Sequence, residues 1–260
     1  MNEPTPISSR DNPLLKRLRV LAQDNAAYRK QGQVWLEGDH LCRALLARQL
    51  RPSIALFAES AWSSANPALK HAAAKIHTVP DALMAGISGL ESPAGMGFVW
   101  DLPGDQGLKP GVPTVVLDRL QDAGNVGSIL RSAAAMGFVQ VLAIKGTAAL
   151  WSPKVLRAGM GAHFVLRLVE GLSAEDLPSL NVPLLVTSSH DGEWLHQTAL
   201  PWPCAWVLGH EGQGVGEAVA ALASRSVRIV QPGGEESLNV AAAAAVCLHA
   251  SACAVAAQRL

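Results

Sequence analysis

Short, mostly apolar runs of β type recur along the second half of the chain, at residues 114–117, 139–144, 164–169, 184–187, 205–208 and 227–230, and helical or loop-like stretches separate them. A strand with water on one side alternates apolar and polar residues, whereas a strand buried on both faces is a continuous apolar run. Buried strands alternating with helices predict an α/β fold, a parallel sheet with helices on both faces. Ligands of such sheets bind in the crevice beyond the carboxyl ends of the strands, so the segments that follow each run are the places to look for chemistry.

Composition agrees with a globular chain. Of 260 residues, 49% are apolar and 16% charged, and 21 basic side chains balance 21 acidic ones, which excludes the high-charge signature of disorder. No overall basic charge points to a nucleic-acid partner, although a local basic face is compatible with neutrality. Cys42, Cys204, Cys247 and Cys253 show no CxxC pair or metal spacing, and reduced, buried thiols are expected. His40, His71, His77, His163, His190, His196, His210 and His249 likewise show no ligand spacing, so no metal is expected. The N-terminal residues lack the apolar core of a secretory signal, and a cytoplasmic location is the expectation. Residues 240–257 are apolar but dominated by alanine and interrupted by His249; they are expected to form a buried or interface helix, with no membrane partner.

The Pro- and Gly-rich stretch 101–113 separates two patterned regions and is expected to be a linker between a domain at 1–100 and another at 114–260. In the first, Asn12-Pro13 opens a helical pattern of Leu14, Leu15, Leu18, Val20 and Leu21. Its polar side carries Lys16, Arg17 and Arg19, with Arg29 and Lys30 following; this is either a solvated helix face or a phosphate-contacting patch. Apolar runs at 34–36, 54–57 and 98–100 among Ala-rich windows suggest a small α/β domain.

Three segments follow strand ends in the second region. In the first, 117–138, Asp122 or Asn125 can cap a helix whose buried stripe is Val126, Ile129, Leu130, Ala133 and Gly137. Helical side chains lean toward the N-terminus, so Arg131 lies across Gly127, near the anion-favouring helix start. The second, 206–217, runs GxxGxGxG with His210 and Glu211 inside, which is not the dinucleotide fingerprint and argues against a nicotinamide-dependent enzyme. The third, 227–246, passes through Pro232-Gly233-Gly234 and the acidic pair Glu235 and Glu236 into the alanine helix, with Ser237 or Asn239 as candidate cap.

In this order, N-x-G-x-x-x-R at Asn125, Gly127 and Arg131, L-G-x-E-G-x-G from Leu208 to Gly214, and E-S-L-N-V from Glu236 to Val240 resemble the three motifs of the SpoU (TrmH) family of RNA ribose 2′-O-methyltransferases, part of the SPOUT superfamily. The resemblance covers residues 113–260, and the N-terminal part, with SSRDNPLLKRLRVLA and WLEGDHLCRALL, is similar to the L30e-like RNA-binding domain of rRNA-modifying members.

The resemblance implies a C-terminal trefoil knot, S-adenosylmethionine as cofactor, a homodimer through the C-terminal domain, and RNA as substrate, with ribosomal RNA favoured over transfer RNA because of the N-terminal domain. Carried over position by position, it gives a cofactor pocket of Thr187, Ser188, Leu208, Gly209, Gly214, Ile229 and Leu238. It makes Arg131 catalytic, with Asn125, Glu211, Ser237 and Asn239 holding it and the substrate. The basic patch of Lys16, Arg17, Arg29 and Lys30, read from charge alone, is the candidate RNA contact of the N-terminal domain. Because an arginine keeps its proton, anchoring a phosphate and polarising the hydroxyl is favoured here over literal base catalysis. The third motif departs from the family's I-P-M-x-G and final Ser at Val230, Pro232 and Ala241, none of which touches the catalytic set. The competing readings are a tRNA-specific methyltransferase and a noncatalytic RNA-binding or ribosome-assembly factor of the same fold.

Overall fold

A computed structural model describes residues 3–188, 191–233 and 238–257. The chain divides into two compact units, residues 1–104 with 151–164, and residues 105–150 with 165–260. The division at Gly104 falls inside the stretch expected as a linker. The range 114–260 expected of the second domain is, however, interrupted, because Trp151–Phe164 packs with the first unit.

In the first unit, β1 (Thr5–Pro6), β2 (Gln33–Glu37), β3 (Ile54–Ala58), β4 (Lys75–Val79) and β5 (Met96–Asp101) form a mixed sheet in the order β1-β4-β3-β5-β2. The Pro13–Gln23 helix starts where Asn12 Oδ1 accepts from Leu14 N at 2.8 Å, with Pro13 in the first turn where its missing N–H costs nothing. Leu15, Leu18 and Leu21 are buried, while Val20 of the expected apolar set is exposed. The 151–164 segment brings Trp151 and Phe164 to Trp100, with ring centroids 5.7 and 5.5 Å away, and His163 lies 5.1 Å from Trp151. Residues 164–166 are accordingly no part of a strand: Ala162–Phe164 is a 3-10 turn.

In the second unit, β6 (Thr114–Asp118), β7 (Gln140–Ile144), β8 (Arg167–Leu172), β9 (Leu184–Thr187), β10 (Glu193–Trp194), β11 (Ala205–Gly209) and β12 (Arg225–Arg228) form one sheet in the order β10-β12-β9-β11-β6-β7-β8. Every neighbouring pair is parallel. β6, β7 and β11 are buried at every position, as strands covered on both faces must be. β12 ends at Arg228, so Ile229 and Val230 lie beyond the strand in which the apolar run placed them.

The Ala123–Ala135 helix buries Val126, Gly127, Ile129, Leu130 and Ala133. Gly137 is not part of that stripe: it is exposed and follows the C-cap Met136, where Phe138 N returns to Ala133 O at 3.0 Å and closes the helix. The Val240–Ala257 helix is by length and composition alone apolar enough to cross a membrane, but it rests on the 123–135 helix and β11 through Ala244, Cys247, Leu248 and Ser251. Its contact with β11 includes a buried hydrogen bond from Trp206 Nε1 to Ser251 Oγ at 2.9 Å. Removing that acceptor strands a buried donor, so Ser251→Ala is expected to lower unfolding free energy by about 1–3 kcal/mol in a denaturant titration. Cys42, Cys204 and Cys247 are buried free thiols, and burial pushes the Cys204 thiol up to about 11. Cys253 departs from the expectation and is exposed, because it lies off the helix's buried stripe.

Candidate functional site

The site builds up where β6, β9, β11 and β12 end side by side. Gly209, the last residue of β11, is in register with Asp118, the last of β6. On the other side, Thr187 Oγ1 donates to Val207 O at 3.3 Å, and Ser188 N donates to Val227 O at 3.0 Å. Thr187, Ser188, Leu208 and Gly209 therefore share one edge of the sheet, and Ile229 follows directly on the neighbouring strand.

From Gly209 the chain turns back on itself. His210 and Gly214 exchange backbone hydrogen bonds of 3.0 and 2.8 Å, and His210 Nδ1 accepts from Gly212 N at 3.0 Å and Gln213 N at 3.2 Å. The return is so close that a Cβ on Gly209 would lie 2.2 Å from Gly214 C and Val215 N.

This turn projects Glu211 onto the start of the 123–135 helix. Its Oε1 accepts from Asp122 N and from Asn125 Nδ2, both at 3.2 Å, and its Oε2 accepts from Gln121 N at 3.4 Å. Asn125 Oδ1 in turn accepts from Asn239 Nδ2 at 3.0 Å. Three segments distant in sequence thus meet in one chain of hydrogen bonds, Glu211 to Asn125 to Asn239. Partial burial raises the Glu211 pKa, but hydrogen bonds from its own backbone, Asn125, Asp122 and Gln121 outweigh it, so the carboxyl group sits below its ordinary 4.5 and is ionised at neutral pH.

The two capping questions left open by the sequence are settled by geometry. Asp122 caps the 123–135 helix, accepting from Asn125 N at 2.7 Å. Asn239 Oδ1 accepts from Ala241 N at 2.9 Å and Ala242 N at 3.3 Å, at the start of the alanine helix. Asn239 makes these bonds with alanine at position 241, so the departure there leaves the helix start intact. Ser237 lies outside the described residues. Arg131 is exposed and has no hydrogen-bond or ion-pair partner among the described residues. Within the third-motif segment, Val230 and Leu238 present exposed apolar side chains.

In the first unit, Lys16 and Arg17 lie on the Pro13–Gln23 helix, and Arg29 and Lys30 on the Ala27–Gln31 helix. Lys16 pairs with Asp11 at 2.9 Å between exposed side chains, and Arg29 Nε donates to Tyr28 Oη at 3.2 Å. Arg17 is half-buried, with its Nε out of solvent. The structure thus keeps the four cations on consecutive helices without making them one uniformly exposed row. Among the described residues no group of three His, Cys, Asp or Glu side chains could hold a metal ion.

Sequence reasoning missed Asp118 and Arg119. The only local signal was an aspartate closing an otherwise apolar strand, TVVLD. Its carboxylate is 1% exposed, which in a protein interior calls for specific partners.

A family model for the SpoU rRNA Methylase family matches residues 113–249. An uncharacterized tRNA/rRNA methyltransferase of Synechocystis sp. is 33% identical over 94% of this chain and 92% of its own. The 23S rRNA (guanosine-2'-O-)-methyltransferase RlmB of Bordetella pertussis is 33% identical over 53% of this chain and 58% of its own. Among solved structures, the SpoU methyltransferase AviRb of Streptomyces viridochromogenes, in complex with AdoMet, superposes with a TM-score of 0.82, covering 93% of this chain and 97% of that one at 21% identity, a likeness of fold.

Proposed function

The chain belongs to the SpoU rRNA methylase family, and from that premise we propose that it transfers a methyl group from S-adenosylmethionine to a ribose 2′-hydroxyl of RNA, with ribosomal RNA preferred to transfer RNA. The observation that carries this reading is the Glu211–Asn125–Asn239 chain, which joins the three motif segments at the start of the helix that carries Arg131, an arginine without a partner among the described residues.

The residues fit the methyl donor. The ends of β9 and β11 offer hydroxyls at Thr187 and Ser188 and the close backbone turn at Gly209 and Gly214, while the exposed side chains of Val230 and Leu238 offer apolar surface of the kind an aromatic base ring covers. Bound there, S-adenosylmethionine supplies a strongly electrophilic methyl group. The task left to the protein is alignment, since a ribose hydroxyl is a weak nucleophile and correct placement of two reactants lowers the barrier substantially. In this reading Arg131 grips a phosphate of the RNA and polarises the target hydroxyl. Asn125 and Asn239 fix the helix that carries Arg131, and ionised Glu211 ties that helix to the loop at the donor's edge. Ser237 is assigned to the same substrate-holding set.

The first unit is assigned to RNA binding as an L30e-like domain through Lys16, Arg17, Arg29 and Lys30, where exposed cations contribute affinity rather than sequence reading. The third-motif segment, of which residues 234–237 lie outside the described residues, is assigned to a trefoil knot on the resemblance; in support, β12 lies next to β9, and the Val240–Ala257 helix packs on the 123–135 helix and β11. The outer side of Val240–Ala257, with Val246 exposed, is assigned to a second copy of the chain, which would cover an apolar surface otherwise left in water.

The test is transfer of a labelled methyl from S-adenosylmethionine to separated pools of unmodified rRNA and tRNA. Alkali-stable ribose label in rRNA is the expected result. Label in tRNA alone would overturn the preference for rRNA, and donor binding without transfer to either RNA or to ribosomal particles would favour the noncatalytic reading.

A further inference from the structure

Beyond the motif residues, the junction between β6 and β11 holds a set of contacts that the chemistry described so far does not use. Asp118 and Gly209 are neighbours across the parallel ladder, and from there the two chains part, one into the 123–135 helix and the other into the glycine loop. Asp118 stays at the fork, buried. Its Oδ2 accepts from Gly216 N at 2.6 Å, and its carboxylate takes Arg119 Nε at 3.0 Å and Nη2 at 3.3 Å. Arg119 then reaches over the loop: Nη1 donates to Gln213 Oε1 at 3.2 Å and Nη2 to Gly214 O at 3.5 Å. A side chain at Gly216 would block this approach, since its Cβ would come within 2.9 Å of Arg119 Nη2.

The arginine is held in an unusual backbone conformation to do so. Its φ is +61°, a left-handed value that a long side chain rarely adopts, and it is fixed there by Arg119 N donating to Thr147 Oγ1 at 3.0 Å while that hydroxyl donates to Leu117 O at 3.0 Å. The loop is therefore pinned at its start by the sheet, at its far end by Arg119 and at its exit by Asp118.

We propose that Asp118 and Arg119 act as a clasp that fixes loop 209–216 against the start of the 123–135 helix, and are positioning residues for methyl transfer. The clasp rests on geometry alone; its consequence rests on the methyltransferase reading. The loop carries Gly209 at the donor's edge and Glu211 on the catalytic helix, so the clasp sets the distance between the two reactants. Gly209 is held by the ladder to β6 and the turn to Gly214 by its own His210–Gly214 backbone pair, so donor binding depends less on the clasp than alignment does.

The test uses the full chain with Arg119→Gly, a substitution suited to the positive φ, and Gln213→Ala, which removes one exposed partner of the clasp. Two quantities are read: amide hydrogen exchange of residues 210–216 in the free protein, and steady-state methyl transfer to rRNA. In Arg119→Gly, exchange at Gly214 and Gly216 is expected to rise about tenfold or more, and kcat to fall about tenfold with KM for S-adenosylmethionine within about twofold of the parent. Gln213→Ala is expected to change both in the same direction by roughly threefold. Unchanged exchange in both variants overturns the clasp. Faster exchange with unchanged kcat overturns the positioning role. A parent protein that methylates no RNA sinks the methyltransferase reading, and the exchange measurement still decides the clasp.

Discussion

Arg131→Ala is expected to reduce kcat/KM for methyl transfer to RNA by about a thousandfold and to leave the thermal midpoint within about 2 °C of the parent. The two halves of this expectation come from the same observation. Arg131 is exposed on the 123–135 helix, and no hydrogen bond or ion pair among the described residues depends on it, so the fold loses little when it goes. At the start of the same helix Asn125 is engaged by Glu211 and Asn239, and Asp122 by Asn125 N. A guanidinium without a partner among the described residues is available to a ligand, and its planar fork suits a phosphate or a ribose oxygen. Arg131→Lys separates charge from geometry. Lysine keeps the charge but not the fork, so activity recovering to within about threefold of the parent would show that charge alone suffices, whereas the expected result is recovery of no more than about a tenth. Activity of Arg131→Ala within about threefold of the parent would remove the residue from the chemistry.

The parallel sheet was readable from residues 114–117, 184–187 and 205–208 because a strand buried on both faces must be continuously apolar, and burial of this kind is a local property of the chain. Glu211 was readable as a charged residue within a glycine-rich turn, but its partners were not: the bonds to Asp122 N and Asn125 exist only because β11 lies in register with β6, a pairing of segments about ninety residues apart. Asp118 is the sharper case. Nothing within its own strand explains a buried carboxylate: its donors are Arg119, just beyond the strand end, and Gly216 N, which arrives from the far side of the loop.

The excursion of Trp151–Phe164 into the first unit was hidden for a related reason. Its helix starts with Ser152 as cap, Pro153 at the first position and Val155 and Leu156 buried, which is what any sheet-covering helix looks like. Which core it joins is decided by the Trp100, Trp151, His163 and Phe164 ring contacts, which are long-range. The end of β12 was misplaced because Ile229 and Val230 are as apolar as a strand, yet they leave the sheet and Val230 is half exposed. Exposed apolar residues after a strand end are costly in water and informative for that reason, since a bound ligand is one way to cover them.

The glycine loop offers a graded test of how tightly the donor site is built, with Gly209→Ala as its severe member. An added Cβ would meet Gly214 C and Val215 N at 2.2 Å and Gly214 O at 2.5 Å, all backbone atoms that cannot rotate away. The loop must therefore move, which breaks the His210–Gly214 exchange and draws Glu211 off the helix start. The expected cost is about 1–3 kcal/mol of stability. Donor affinity, measured by calorimetry with S-adenosylmethionine, should fall more than about thirtyfold, about 2 kcal/mol, because the moved backbone is itself the binding surface. Gly214→Ala isolates backbone strain: nothing lies within 4 Å of its Cβ, but φ is +68°, so a loss of about 1 kcal/mol is expected. Gly212→Ala isolates neither, since its Cβ would sit 3.8 Å from the His210 ring, an ordinary contact, and its N–H is retained for His210 Nδ1. The expected order of donor affinity is parent and Gly212→Ala together, then Gly214→Ala, then Gly209→Ala far below. Equal affinities across the series would mean that the donor does not bind against this turn, and the site would have to be sought at another strand end.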